Sequence, residues 1–333
     1  MGRGQAAVKL QSACDVSTAK TDILLATYNG ARHLPELLAS LDAQTNQAWR
    51  LIVRDDGSTD DSVALVKAWG AAKPGRLTIL EDGRGNLGAS GNFGALLEAS
   101  DGSNFLPCDQ DDVWLPDKVE RFIKRIAEVE AESGADRPAI VHSDLIVADE
   151  NMRPIAQSFW RYQGIRLPET ERPWKLITLQ NTVTGCAMIG NAALRDLAVP
   201  VPPEAVMHDW WLASVAAFTG RIVRDPRPSV MYRQHGGNAL GAQKWSFPNL
   251  ARRIMISPRS VLKRPAEVLS ESRVMANGVA SGLSEKLSEE QKLFLQQYLD
   301  IQQAPFLPKK LFQFRHGLWC DGLARNLALF FCY

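Results

Sequence analysis

Short apolar runs alternate with helical repeats over the first third of the chain. Thr21 to Thr27 (TDILLAT) reads as a buried strand that ends in the turn signal Tyr28-Asn29-Gly30. Leu34, Leu37, Leu38 and Leu41 follow at helical spacing. Trp49 to Arg54 is a second strand. It stops at Asp55-Asp56-Gly57-Ser58, and Ser58 or Asp60 is placed to cap a helix over Ser62 to Trp69. Leu77 to Glu81 is a third strand, followed by a glycine-rich loop and a helix over Asn92 to Ala99. Phe105 to Cys108 is a fourth strand, with Asp109-Gln110-Asp111-Asp112 directly after it. Strand and helix alternating at this spacing predict a parallel sheet with right-handed crossovers. Ligands in such sheets bind beyond the carboxyl ends of the strands, so the loops after strands one, two and four should meet.

The α/β pattern continues with a helix over Asp117 to Glu132, a strand over Ala139 to Val147, an apolar segment from Thr182 to Ile189 and a helix over His208 to Thr219. Beyond Gln243 amphipathic helical segments dominate: Asn249 to Ile256, Ala266 to Ser281 and Ser288 to Leu299. This divides the chain into a poorly ordered lead-in (1–20), an α/β domain (21–242, in two halves of about 21–112 and 113–242) and a helical C-terminal appendage (243–333).

Composition narrows the class. The 333 residues are 45% hydrophobic and 23% charged, ordinary for a globular protein. Lys plus Arg number 38 and Asp plus Glu 37, which argues against a dedicated nucleic-acid partner. The five cysteines form no CxxC and read as reduced thiols. No stretch has the roughly 18 apolar residues of a membrane span, and the start lacks a signal-peptide pattern. A cytoplasmic protein, soluble or peripheral at a membrane, is expected.

The chemistry concentrates in three places. Two carboxylates one residue apart at a strand end, Asp109 and Asp111, can reach one hard cation such as Mg²⁺ or Mn²⁺; the plainer use of such a turn is a helix cap. Asp55 and Asp56 can hold a base N–H or ribose hydroxyls, beyond the turn that Gly57 and Ser58 already explain. Asp209, in His208-Asp209-Trp210-Trp211, sits at a helix start. Shielding by the tryptophans would raise its pKa and make it a better base, whereas the helix start favours the anion. Gly83 to Gly88 fits GxGxxG, but it follows the third strand, not the first, and so reads as a flexible loop.

Taken in order, ATYNGARHL, RDDGSTDDS, NLGASGNF and CDQDDVWLPDK resemble glycosyltransferase family 2, whose members are inverting enzymes with the GT-A fold. The resemblance covers about residues 21–240 and implies a nucleotide-binding half at about 21–112 and an acceptor half at about 113–242. TGCAMIG, HDWW and YRQHGGN resemble its rhamnosyltransferase-like branch. The resemblance implies that Thr27, Tyr28 and Asn29 line the nucleotide pocket, that Asp55 contacts the base with Asp56 close by, and that Gly88 and Asn92 lie near the donor nucleotide. It makes Asp109 and Asp111 the metal-binding DxD, with Asp109 also near the nucleotide. It puts Asp209 at the catalytic base position, and His235 where a downstream His meets metal or diphosphate.

The implied donor is a nucleotide diphosphate sugar, with dTDP-rhamnose suggested by the branch. The implied acceptor is a glycan, free or lipid-linked, in surface polysaccharide synthesis. Lys309 to His316 and the apolar LALFFCY at 327–333 suggest either peripheral contact with the inner face of a membrane or a helix packed on the protein. Two other readings share the pattern. A sugar-nucleotide nucleotidyltransferase would need a glycine- and base-rich first loop, which Tyr28-Asn29-Gly30-Ala31-Arg32 is not. A non-catalytic glycan-binding protein would have no need of an intact DxD and Asp209.

Overall fold

The computed structural model describes residues 20–165, 173–234, 258–301 and 303–318. In chain order the strands are β1 (Thr21–Thr27), β2 (Trp49–Asp55), β3 (Leu77–Ile79), β4 (Asn104–Asp109), β5 (Val113–Trp114), β6 (Ala139–Ala148), β7 (Pro154–Ala156), β8 (Met188–Asn191) and β9 (Arg221–Arg233). The α-helices are α1 (Leu34–Asp42), α2 (Ser62–Ala71), α3 (Gly88–Ala99), α4 (Lys118–Ser133), α5 (Phe159–Gln163), α6 (Pro173–Leu179), α7 (Ala192–Ala198), α8 (His208–Thr219), α9 (Pro258–Gly282), α10 (Glu289–Ile301) and α11 (Phe306–His316). The segment expected as a helix over 249–256 lies outside the described residues, as do residues 1–19.

The strands form one sheet in the order β3-β2-β1-β4-β8-β6-β9-β5, with β7 beside β6. The expected parallel arrangement holds for β3-β2-β1-β4. The other half is mixed: β8 runs antiparallel to both β4 and β6, while β9 is parallel to β6. The sequence hid this because β8 is four residues of a longer apolar stretch whose first part is a 3-10 turn, Gly185–Ala187. A short apolar run carries no direction.

Burial on both faces explains the composition of the central strands. Ile23 and Leu25 enter one apolar layer together with Leu51, Val53 and Leu106. Leu24, between them in sequence, points to the opposite layer with Ile52 and Phe105, as the two-residue period of a strand requires. That second layer extends through α3, α6 and α8 to Leu269, Met275 and Val279 of α9, Phe294 and Tyr298 of α10 and Phe312 of α11. The C-terminal helices therefore share a core with the sheet.

Two buried charges organise the nucleotide-side half. Asp22, fully buried on β1, accepts from Ser100 Oγ and the Gly102 N–H and pairs with Arg50 at 2.8 Å. Arg54, only 2% exposed on β2, pairs with Asp56 at 2.7 Å and Asp82 at 3.0 Å and donates to Gly85 O at 2.8 Å. Asp56 in turn accepts the N–H groups of Leu87 and Gly88 at 2.8 Å each. An anion just past the end of β2 thus caps α3, which explains why that helix starts at Gly88, earlier than its apolar pattern suggests.

Removing Arg54 would leave Asp56 buried without its counter-charge. Arg54→Met is expected to cost about 3–5 kcal/mol of unfolding free energy, read from the denaturant midpoint. A midpoint equal to that of the wild type would exclude the pair as a structural centre.

Candidate active site

The loops after β1, β2 and β4 meet at the carboxyl edge of the sheet. Asp55 Oδ1 accepts from Thr27 Oγ1 at 2.9 Å and from Ser58 Oγ at 2.6 Å, and Asp55 Oδ2 accepts the N–H of Ser58 at 2.7 Å. Asn29 has a positive φ of 49°, and its side-chain carbonyl receives the Thr59 N–H at 2.8 Å. Gln110 clamps the backbone of Tyr28 from both sides. Its Oε1 accepts the Tyr28 N–H and its Nε2 donates to Tyr28 O, both at 2.9 Å. Gly30 makes this possible, since a Cβ there would lie 2.1 Å from Gln110 Oε1. The clamp leaves Tyr28 52% exposed at the mouth of the loops.

Other predicted nucleotide-side residues have internal tasks. Asn92 is buried and exchanges hydrogen bonds with Arg54: its Oδ1 accepts from the guanidinium and its Nδ2 donates to Arg54 O, both at 3.3 Å. Asp56 and Gly88 are joined in the cap described above. These three shape the loop, while Thr27, Tyr28, Asn29 and Asp55 stand at its edge.

The acidic loop after β4 folds back on itself. Among the described residues, oxygens of Asp109 and Asp112 and the sulfur of Cys186 lie within 4.8 Å of one another. Asp111 is not in that group. Its backbone carbonyl accepts from Arg233 Nε at 2.8 Å, and its carboxylate acts on the other two by charge. Asp112 is buried. Its Oδ1 accepts the Arg233 N–H at 3.2 Å, and its Oδ2 has no hydrogen-bond partner.

Burial, with Asp111 and Asp209 adding repulsion, pushes the Asp109 carboxyl up to about 7. The same causes, with Asp109 in place of Asp209, hold Asp112 well above the ordinary carboxylate range. Lys118 faces the cluster from α4. It is fully buried, donates to Cys186 O at 2.5 Å and sits 3.2 Å from the Trp114 ring centroid. Burial lowers its ammonium to about 8, against the pull of Cys186, Cys108 and the acids. A crowd of carboxylates with one buried oxygen lacking a partner suits a cation.

Asp209 lies in the first turn of α8 and within electrostatic reach of Asp109. Its Oδ1 accepts from Asn181 Nδ2 and its Oδ2 from the Gly185 N–H, each at 3.0 Å. Burial pushes its pKa up to about 6, and these donors restrain the rise. Trp210 and Trp211 fill the core and donate to Ile177 O at 2.7 Å and Ala198 O at 2.8 Å, which leaves no role in stacking on a sugar. His235 lies outside the described residues.

A sequence model of glycosyl transferase family 2 matches residues 22–197, more than half of the chain. The chain belongs to this family. It is 28% identical over 226 residues to an uncharacterized glycosyltransferase of Nostoc, a match covering 66% of each chain. It is 26% identical over 230 residues to the dTDP-rhamnosyl transferase RfbG of Shigella flexneri, covering 66% of this chain and 74% of that one. The fold is similar to S. aureus TarS 1-349 solved with UDP-GlcNAc, at a TM-score of 0.53 and 18% identity, covering 94% of this chain and 89% of that one. The chain spans 42% of the longer TarS chain and just under two thirds of the Nostoc relative.

This family 2 glycosyltransferase therefore gathers most of the acids singled out by sequence, with four residues that sequence reasoning missed. Lys118 and Gln110 lie inside the CDQDDVWLPDK motif but carry no chemistry by type alone. Cys186, in the 3-10 turn before β8, and Arg233, at the end of β9, reach the cluster only through the mixed half of the sheet.

Proposed function

We propose that this glycosyltransferase moves a sugar from a nucleotide diphosphate donor to an acceptor hydroxyl with inversion, and that Asp209 is the base. The observation that carries this reading is Asp209 itself: a buried carboxylate, held by two hydrogen-bond donors, within electrostatic reach of the acid cluster. Inversion by direct displacement needs one group to take the acceptor proton as the oxygen attacks the anomeric carbon. Gly185 and Asn181 orient Asp209 for that step.

Asp109 and Asp111, joined by Asp112, would hold Mg²⁺ or Mn²⁺. Such a cation neutralises charge on the departing diphosphate. His235 is a further candidate for that side of the site. Thr27, Tyr28, Asn29 and Asp55 would receive the nucleotide, with the exposed Tyr28 ring as a stacking surface for the base. Gly88, Asn92 and Asp56 set the shape of that pocket from behind. Likeness to RfbG supports rhamnose, carried by dTDP, as the sugar.

No helix among the described residues is long and apolar enough to cross a membrane. The exposed Leu307 and Leu311, with Arg315 beside them on α11, support contact with a membrane face that carries a lipid-linked glycan.

Asp209→Asn is expected to cut kcat by about 10²–10⁴-fold and leave donor affinity unchanged. In the wild type the base works only when ionised. The rate should therefore rise with pH through about 6 and level off above it. Normal turnover in Asp209→Asn would place the base elsewhere.

A thermal-shift panel of nucleoside diphosphates and their sugars, with and without Mn²⁺, tests the donor class. Stabilisation by the dTDP compounds should require the cation and vanish in Asp109→Asn. Cation-independent binding in both proteins would refute the metal reading. For the membrane contact, Leu307→Asp with Leu311→Asp should abolish pelleting with vesicles of anionic phospholipid. Equal pelleting of both proteins would count against it.

A further inference from the structure

One short element touches both halves of the site. The 3-10 turn Gly185–Ala187 presents its first N–H to Asp209 Oδ2 at 3.0 Å. Its second residue turns the other way: the Cys186 sulfur lies against Asp109 and Asp112, and the Cys186 carbonyl accepts from buried Lys118 at 2.5 Å. The turn is thus pinned to the acid cluster on one side and to the base on the other.

Gly185 shows why this contact has no slack. Its φ is not in the left-handed region, so backbone conformation alone does not demand glycine. Space does. A Cβ at this position would stand 2.8 Å from His208 Nε2 and 3.3 Å from Asp209 Cβ. His208 is poorly placed to give way. It is buried, its ring stacks on Phe93 with centroids 3.9 Å apart, and neither ring nitrogen has a hydrogen-bond partner. Burial also keeps the imidazole neutral, with its pKa lowered to about 3. The side chain works as a flat, uncharged spacer between α3 and the turn, and its packing fixes how near Gly185 comes to the start of α8.

We propose that Gly185 is the positioning residue for the base: its missing side chain lets the turn close on His208 so that the Gly185 N–H reaches Asp209, while Cys186 holds the same turn on the cation-binding acids. The inference rests on Asp209 as the base. It adds that the distance between base and acids is set by one glycine and one neutral histidine. An alanine at 185 would push the turn away from α8, break the hydrogen bond and move Asp209 off the acceptor. Donor and cation sites, which lie on the other side of the turn, would be spared.

The test is a cycle of wild type, Gly185→Ala, His208→Ala and Gly185→Ala/His208→Ala, with Asp209→Asn alongside. Each is measured for kcat, donor KM and the Mn²⁺ concentration that half-saturates donor stabilisation in thermal shift. Gly185→Ala should lose at least about tenfold in kcat, with donor KM and Mn²⁺ half-saturation within about twofold of wild type. His208→Ala in that background should recover most of the loss, because it opens the space the new methyl needs. An unchanged kcat in Gly185→Ala, a parallel loss of donor affinity, or no recovery in the double variant would each overturn the proposal.

If Gly185→Ala alone does not fold, the double variant decides. Turnover within about threefold of His208→Ala supports the positioning role, and turnover as low as Asp209→Asn refutes it. An active Asp209→Asn would instead indict the base assignment. An inactive Asp209→Asn beside a normal Gly185→Ala would indict this inference alone.

Discussion

Like charges brought together out of water dominate this protein. Four aspartates gather at the carboxyl edge of the sheet: Asp109, Asp111 and Asp112 in one loop and Asp209 on α8. In a poorly solvated site their repulsion is felt far more strongly than in bulk water. The fold answers it with positive groups that are themselves buried. Lys118 faces the cluster from below, and Arg233 takes hold of the loop backbone and of Asp112 while pairing with Glu36. The answer is incomplete, since Asp109 and Asp112 still have raised pKa values. The site is left short of positive charge, which is what the proposed cation would supply.

The same logic organises the neighbouring loops without the same outcome. Arg54 is a buried guanidinium whose donors are met by Asp56, Asp82, Asn92 and Gly85. Charge there is balanced within the protein, and the result is rigidity. The contrast explains why two acidic pairs that look alike in sequence diverge in the structure. Asp56 is neutralised and caps a helix, whereas Asp109 is crowded by other acids. Burial next to a cation makes a strut, and burial next to other anions leaves charge that the fold does not balance.

Much of this was legible in the chain. Thr21–Thr27, Trp49–Asp55 and Asn104–Asp109 are apolar runs ended by polar turns, and that pattern places Thr27, Asp55 and Asp109 on one edge. His208–Thr219 has the limits that its spacing predicts. What could not be read depends on partners far apart in sequence. Asp112 is a turn acid by local pattern, and only β9, whose Arg233 stands 121 residues away, makes it a buried member of the cluster. The buried arginine that engages Asn92 and Asp56 likewise cannot be seen from residue type. The antiparallel β8 was hidden because four apolar residues do not specify a direction.

The helix that carries Asp209 also depends on the part of the chain that looked like an appendage. Trp210 and Trp211 of α8 sit in one apolar cluster with Leu269, Met275 and Val279 of α9 and Phe294 and Tyr298 of α10. Trp174 of α6 meets Phe294 edge-on at 4.8 Å, and Gln291 of α10 donates to Phe218 O at the far end of α8 at 2.9 Å. Gly278 and Gly282 lie close to the Trp211 ring: a Cβ at either would be 3.5 and 3.6 Å from it. One end of α8 is thus fixed by the turn at Gly185 and the other by α10, with α9 along its side. Asp209 is held at a strand-edge site by a helix whose packing partners come from the last third of the protein. Swapping those helices for another set would therefore move the carboxylate as surely as changing the loop beside it.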